Sequence, residues 1–458
     1  MKRLTLLAAA LIMVLGMAVS ASAAPEVAIS GNLLVNSVWQ SNWDFDENNT
    51  DQGFNVVERA DLYFTVTANE NLKGVLGLRS DKAAWGTAPF ALDTPGGGGS
   101  AQLNIRDAYI DFNWPGTNVN VKAGIYTVAL PAAVGGASKI IGERAGAIMV
   151  STPITDNVSV MAGWTRPYQT ANELGATDAW VLALPLSFEG VSATPYGMYA
   201  KSGVNSNTHL MNLSYASTAA GDDLLFNDIS AYWLGTDLTV SLLDPFIIKA
   251  DLAYGHADAT VMDNSGAVAA ITAIDGDDIT SSGWLFDMAL DYTGFDFMTV
   301  EGFFAYTSGE DDDIENSERM PVLNSDWAVG SFFFGGGSIT SDDINGGDDV
   351  MGFWTVGLSL KDIQSFADGL THTVHVLYAK GTNDKDSAIA QQGGIGAQLL
   401  ENDSLWEVDF NTDYAIYDEL TLYTQLGYIS ADFDEDDWGV ANIDGDAWKV
   451  ATGVVYKF

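Results

Sequence analysis

Apolar and polar residues alternate with a period of two in long segments that recur along the chain. In "DSLWEVDFNTDYAIY", Trp406, Val408, Phe410, Thr412 and Tyr414 fall on one face. Leu405, Glu407, Asp409, Asn411 and Asp413 fall on the other. "RADLYFTVTA" sets Ala60, Leu62, Phe64 and Val66 against Arg59, Asp61, Tyr63, Thr65 and Thr67, and "SGWLFDMALDYTG" follows the same rule. A pleated strand sends successive side chains to opposite faces, so each segment reads as a strand with one apolar and one polar side.

The connections alternate between short and long. Short ones include 69–72, 114–118, 155–157, 189–190, 242–245, 293–296 and 417–419; long ones include 41–54, 83–100, 128–143, 203–227, 258–281, 309–349, 382–403 and 432–445. A soluble sandwich has no reason to segregate its turns in this way. A transmembrane barrel does, with short periplasmic turns, long extracellular loops and strands of roughly ten residues. The pattern therefore predicts an all-β protein: a transmembrane antiparallel β-barrel of about 18 strands, or 16 if a weak pair is misread. Predicted strand starts lie near 27, 55, 72, 101, 118, 144, 157, 178, 191, 228, 246, 282, 297, 350, 370, 404, 419 and 446. The segment 178–188 is the weakest, because Pro185 removes a ladder donor.

If the apolar face meets lipid, the polar face lines a lumen, and a barrel of this size is too wide for its own side chains to fill. The candidate lining is then Arg59, Asp61, Arg79, Asp107, Asp111, Lys122 and Lys249, with Asp287, Asp291, Glu301, Glu407, Asp409 and Asp413. Acids outnumber bases in this set, which predicts a mild cation preference. Arg106 and Asp107 cannot both face the lumen on a regular strand, so Arg106 is assigned to a strand end, a bulge or a subunit contact. Tyr63, Tyr109, Tyr126, Tyr199 and Tyr423 are candidates for a stacking track.

The long connection inside "YTVALPAAVGGASKIIGERAGAIMV" (126–150) is small-residue rich and carries only Lys139, Glu143 and Arg144 as charges. Such a loop packs better against an inner wall than in water. Residues 128–143 are therefore expected to fold inward as a constriction, with Glu143, Lys139 and Arg144 helping to set a transverse field.

Composition sharpens this picture. "MKRLTLLAAALIMVLGMAVSASA" has Lys2 and Arg3, an apolar run, and Ala21 and Ala23 in A-x-A spacing, which reads as a signal peptide over 1–23. The remainder, 24–458, is expected to be a single barrel domain. There are no cysteines, so disulfides play no part. The net charge of −42 argues against nucleic acid, whose affinity depends on cationic contacts to phosphate. Acids concentrate in 309–318, 341–349 and 432–439. These loops are candidates for divalent cations beside anionic lipid headgroups, although none has the spacing of a dedicated calcium loop. In "HTVH", His372 and His375 fall on opposite strand faces. No Ser/His pair stands out, and no nucleotide, metal or hydrolase motif appears, so no catalytic residue and no cofactor are expected.

On "IRDAYIDFNWPGTNVNVKAGIYTVALPAAVGG", the "ERAGAIMV" re-entry and the aromatic strand "WKVATGVVYKF", the chain resembles the outer-membrane homotrimeric porins of sulfate-reducing bacteria. That resemblance implies passive diffusion of small hydrophilic solutes through three parallel barrels, with the third loop as constriction. It also implies that the last strand, with Val454, Tyr456 and Phe458 in phase, is read by the barrel-assembly machinery. Two other readings stay open: a substrate-specific channel for sugars or carboxylates, and a surface structural or adhesive protein that uses the barrel as an anchor.

Overall fold

The computed structural model describes residues 25–42, 45, 52–80, 83–85, 103–169, 176–202, 226–261, 278–313, 315–323, 327–330, 352–387, 390–391, 394–395 and 398–458. The sequence-predicted signal peptide and the acidic run 341–349 lie outside these residues. In chain order the wall strands are β1 (Glu26–Ser41), β2 (Gln52–Asn69), β3 (Leu72–Ser80), β4 (Leu103–Asn113), β5 (Asn120–Ala129) and β6 (Gly142–Pro153). Then follow β7 (Ser159–Tyr168), β8 (Thr177–Ala183, continued by Leu186–Phe188), β9 (Val191–Ser202), β10 (Phe226–Leu243), β11 (Phe246–Val261) and β12 (Asp278–Phe295). The last six are β13 (Met298–Thr307), β14 (Phe353–Gln364), β15 (Leu370–Gly381), β16 (Ser404–Tyr417), β17 (Leu420–Asp432) and β18 (Ala447–Lys457).

Each strand pairs antiparallel with the next, and β18 closes on β1 from Asn32↔Lys457 to Ser41↔Trp448. The result is a closed barrel of 18 antiparallel strands, which leaves no free edge. All the predicted starts fall within four residues of the observed ones. The weak segment is a real strand broken at Pro185, whose carbonyl accepts from Ser159 N at 2.9 Å.

Alternation sorts the residues as expected. Trp406, Val408 and Phe410 are exposed on the outer face, while Glu407 and Asp409 are buried on the inner one. Outward aromatics form two girdles. At the long-loop end, Trp180 stacks with Tyr199, Tyr254 meets Trp284 with ring centroids 4.7 Å apart, and Trp354, Tyr378 and Trp406 adjoin in turn. At the short-turn end, Phe246, Tyr292, Phe295 and Phe297 cluster, and Tyr456 stacks on Phe458. On β16 the girdles are Trp406 and Tyr414. At about 3.3 Å per residue and a tilt of roughly 40° they stand ~20 Å apart along the barrel axis, close to the apolar height of a membrane barrel.

The apolar core lies inside the barrel. Val134, Ile140 and Ile141 of the third long-end loop (β5 to β6) pack with Met320, Val322 and Trp327 of the seventh (β13 to β14, counting 169–176 as the fourth) against Trp233, Leu285, Phe303 and Phe353 of the wall. Burying side chains of this size stabilises by about 1.5–3 kcal/mol each, which holds both loops within the lumen.

Candidate functional site

The third long loop crosses the lumen from β5 and β6 to the far wall. The backbone amides of Ala133 and Val134 donate to the Asp251 carboxylate on β11 at 2.8 to 2.9 Å, a contact between residues more than a hundred positions apart. Gly135 and Gly136 take positive φ at +70° and +74°, a conformation glycine adopts without cost.

The seventh loop reinforces it. Pro321 O accepts from Trp233 Nε1 at 2.7 Å; Leu323 N donates to Ile140 O at 2.8 Å and Ala328 N to Gly135 O at 3.0 Å. Trp327 lies over Gly135, where an added Cβ would fall 2.4 Å from the indole, and its Nε1 donates to Asp287 Oδ2 on β12 at 2.7 Å. The sequence-predicted inward fold of 128–143 is therefore observed. The apolar segment 328–339 is likewise expected from sequence to fold onto the wall or into the mouth. Only 328–330 of it lie within the described residues, and 315–323 and 327–330 run inward, with the apolar run "MPVL" and Trp327 as their sequence signal.

Together the two loops cover the acidic wall. Asp251 is 7% exposed, and Asp287, Glu407 and Asp409 are 0% exposed. Gly330 sits against Glu407 and Asp409. Lys249 pairs with Asp291 at 2.7 Å, and Lys361 with Glu301 at 2.5 Å. The excess of acids that predicted cation preference is thus largely withdrawn from the open lining.

Across the lumen, β2 to β6 present an arginine patch. Asp61, 2% exposed, is its hub: Arg79 donates through Nε at 2.5 Å and Nη2 at 2.9 Å, Arg106 Nη1 at 3.2 Å, and Asn32 Nδ2 at 3.3 Å. Arg59 Nε stands 3.6 Å from the same carboxylate. Asp107 is a second, lesser hub, 3.5 Å from Arg144 Nε and 3.9 Å from Arg106 Nε. Four guanidinium groups thus share two carboxylates, which leaves a net positive patch.

A bulge makes this possible. Gly77 pairs with Asp107 but Leu78 pairs with Ile105, so Arg106 is the extra residue on β4. A bulge re-aims a side chain, and here it turns Arg106 and Asp107 to the same side. Of the three placements expected for Arg106, the bulge is the one observed.

Below the patch, Lys122 Nζ lies 4.3 Å from the Tyr109 ring centroid and 4.0 Å from that of Tyr126, within cation–π range. Lys73 pairs with Asp111 at 3.3 Å. The Tyr63 ring lies against Gly77, so it follows the wall.

The other named residues fall elsewhere. Lys139 is 1% exposed, its Nζ 5.3 Å from the centre of the Trp327 ring, inside the loop core. Glu143 Oε1 accepts from Arg144 N at 2.7 Å. Tyr199 is 46% exposed on the outer face beside Trp180, so it leaves the lumenal tyrosine track. Val454 and Tyr456 lie on β18. Phe458 exchanges backbone hydrogen bonds with Gly31 at 2.9 and 3.1 Å.

His372 stacks outward on Phe410, and His375 turns inward, as the spacing required. Contrary to the sequence reading, a Ser/His pair does share one face: Ser359 Oγ is 2.7 Å from His375 Nδ1, and Asp409 is the register partner of His375. Ser359 is 1% exposed, and the pair is a contact between the neighbouring wall strands β14 and β15. Among the described residues, no group of His, Asp and Glu has the arrangement of a metal site.

No family model matches the chain, and no curated protein does. Solved structures match it along nearly its whole length. OccK8 (OprE) of Pseudomonas aeruginosa aligns with TM-score 0.54 and 13% identity over 94% of this chain and 98% of that one. OccD3 (OpdP) of the same organism gives 0.52 and 12% over 94% and 91%. The outer membrane protein OprD, also from Pseudomonas aeruginosa, gives 0.51 and 14% over 94% of both chains. At this identity the likeness concerns the fold: the chain is a closed 18-stranded barrel of the architecture seen in these outer-membrane proteins.

Proposed function

We propose that the protein is an outer-membrane channel for passive diffusion of small hydrophilic solutes, with a constriction that favours those bearing a carboxylate. The observation that carries this is the asymmetry of the lumen. A loop anchored on Asp251 narrows the passage, and the wall opposite is lined by Arg59, Arg79, Arg106 and Arg144 around only Asp61 and Asp107. Guanidinium groups match carboxylates in geometry and charge. In a narrow, low-dielectric passage such a patch concentrates anions.

This reading sets aside the mild cation preference expected from a count of acids. Charge selection depends on groups that reach the pathway, and the acids of β11, β12 and β16 are covered. The architecture shared with OprD and the Occ proteins supports an outer-membrane location, and the homotrimer belongs to the same proposal.

The test is reconstitution. Detergent-purified protein with heat-modifiable gel mobility is added to a planar bilayer, and reversal potentials are read in a salt gradient. Stepwise conductance with anion-favouring reversal potentials supports the reading, and steps in threes support the trimer. A cation-favouring potential overturns the preference. Absence of conductance overturns the channel and favours an anchored surface protein.

A further inference from the structure

Beside the arginine patch, four polar side chains on the inner wall carry atoms shielded from solvent that have no hydrogen-bond partner among the described residues. They are Asn36 on β1 (Oδ1 and Nδ2), Arg59 on β2 (Nε), and Tyr423 (Oη) and Gln425 (Oε1) on β17. Asn36 is 0% exposed and Tyr423 4%.

The register gathers them around β18. Asn36 and Tyr423 both pair with Gly453, one from each side, and Gln425 pairs with Ala451. Leu34 is the partner of Arg59, which places Arg59 on the diagonal from Asn36. With only Ala451 and Gly453 facing inward here, β18 forms the floor of a trough. The Tyr423 ring lies across it: a Cβ on Gly453 would sit 2.5 Å from the phenol oxygen. The hydroxyl is therefore held over β18, about one strand spacing (~4.8 Å) from β1. Arg59 and Asp413, the latter the register partner of Tyr423, both stand within that tyrosine's electrostatic reach.

Leaving a buried polar group unpaired costs about 1–3 kcal/mol, and native structures retain few such groups. Leucine at position 36 would remove the cost without changing the volume much. Four such side chains in one patch, against the cationic part of the lumen, have the character of a binding surface.

We propose that this trough is a solute subsite that selects hydroxylated carboxylates. The inference rests on the reading of the lumen as a carboxylate path and narrows its substrate class. Asn36 Nδ2, Arg59 Nε and Tyr423 Oη donate, whereas Asn36 Oδ1 and Gln425 Oε1 accept. A hydroxyl group does both, and an alkyl chain does neither. The carboxylate rests on Arg59 and its neighbours while the hydroxyls enter the trough. A turn of Tyr423 to another staggered rotamer uncovers it.

Gluconate and hexanoate test this, being carboxylates of equal chain length with and without hydroxyls. Current block by each is titrated on the full-length protein in a planar bilayer. Wild type is expected to bind gluconate about 10-fold more tightly, the difference of roughly one well-made hydrogen bond. Asn36→Leu and Tyr423→Phe are each expected to bring that ratio near one. Hexanoate block and heat-modifiable mobility should stay as in wild type, and the Asn36→Leu barrel should be no less stable. A wild-type ratio near one with hexanoate block intact overturns the subsite and leaves the groups to ordered water. A ratio unchanged in both variants overturns it equally. Absence of block by either anion in wild type overturns instead the carboxylate reading of the channel.

Discussion

Trp327 and Asp287 lie on different structural units, a loop and a wall strand, and their 2.7 Å hydrogen bond ties one to the other deep in the lumen. The indole covers Gly135 and carries the seventh loop onto the third. Trp327→Ala removes that bond, the cation–π contact with Lys139, and a buried side chain whose loss typically costs 3–5 kcal/mol. The wall ladders are independent of it, so the barrel should still form while the loops loosen. Single-channel recording should show higher conductance with frequent substates; a trace like that of wild type would refute the tie.

Removing an arginine from the patch should change selectivity more than conductance. Arg79→Ala deletes the two shortest bonds to Asp61 and leaves that buried carboxylate to Arg106, Arg59 and Asn32. Reversal potentials should move toward cations, with Arg106→Ala acting in the same direction. The converse change, Asp61→Asn, should shift them toward anions. It should also destabilise the local wall by about 3–5 kcal/mol, because the guanidinium groups lose their shared partner.

Asp251 holds the third loop by accepting from two backbone amides. Asp251→Ala should release the loop tip and expose residues 130–141 to added protease from the long-loop side. Asp251→Asn keeps one acceptor oxygen and should protect partially. Equal protection in wild type and the alanine variant would place the anchor elsewhere.

The cap over the long-loop end carries a pH response. Asp403, next to the first residue of β16, accepts from Leu400 N at 2.7 Å, Asp434 N at 2.9 Å and Trp438 Nε1 at 2.9 Å. Burial raises its carboxyl to about 6, outweighing those hydrogen bonds. A carboxyl that titrates near 4 when unfolded and near 6 when folded holds its proton more tightly in the folded cap. The stability it contributes is full below pH 4 and lost as pH rises through about 6. After correction for intrinsic rates, hydrogen exchange at the Trp438 indole should be slower at pH 5 than at pH 7.5. The opposite order would contradict the assignment.

Deleting Phe458 should lower barrel yield more than it alters the conductance of barrels that form. The residue exchanges two backbone hydrogen bonds with Gly31 and stacks on Tyr456 at the seam where the sheet closes. Heat-modifiable gel mobility measures the yield, and a normal yield would remove any assembly role from the Val454, Tyr456, Phe458 stripe.

The wall was legible because period-two alternation between an apolar outer and a polar inner face is strict: a one-residue slip would turn a whole strand inside out. That is why Asp61, Asp107 and Asp111 could be placed on the lumen side from phase alone. What phase could not supply was depth. Glu407 and Asp409 occupy the inner face as predicted, but their burial depends on the seventh loop, whose course is fixed by side chains distant in sequence such as Trp233 and Asp287. Tyr199 was misplaced although its own phase, one residue from inward Met198, would have sent it outward. Ser359 and His375 belong to different strands, and only the register brings them together.

The bulge on β4 bears on how the patch could arise or vanish. Leu103 and Ile105 face outward before it, and Ile110 faces outward after it. Excising Arg106 would therefore leave every flanking residue on its present side and turn β4 into an uninterrupted strand. A single-codon insertion into an ordinary barrel wall is enough to add a cation to the lumen without repacking the outer face, and a single-codon deletion is enough to remove it. The charge of the inner face can drift at this position while the scaffold stays unchanged.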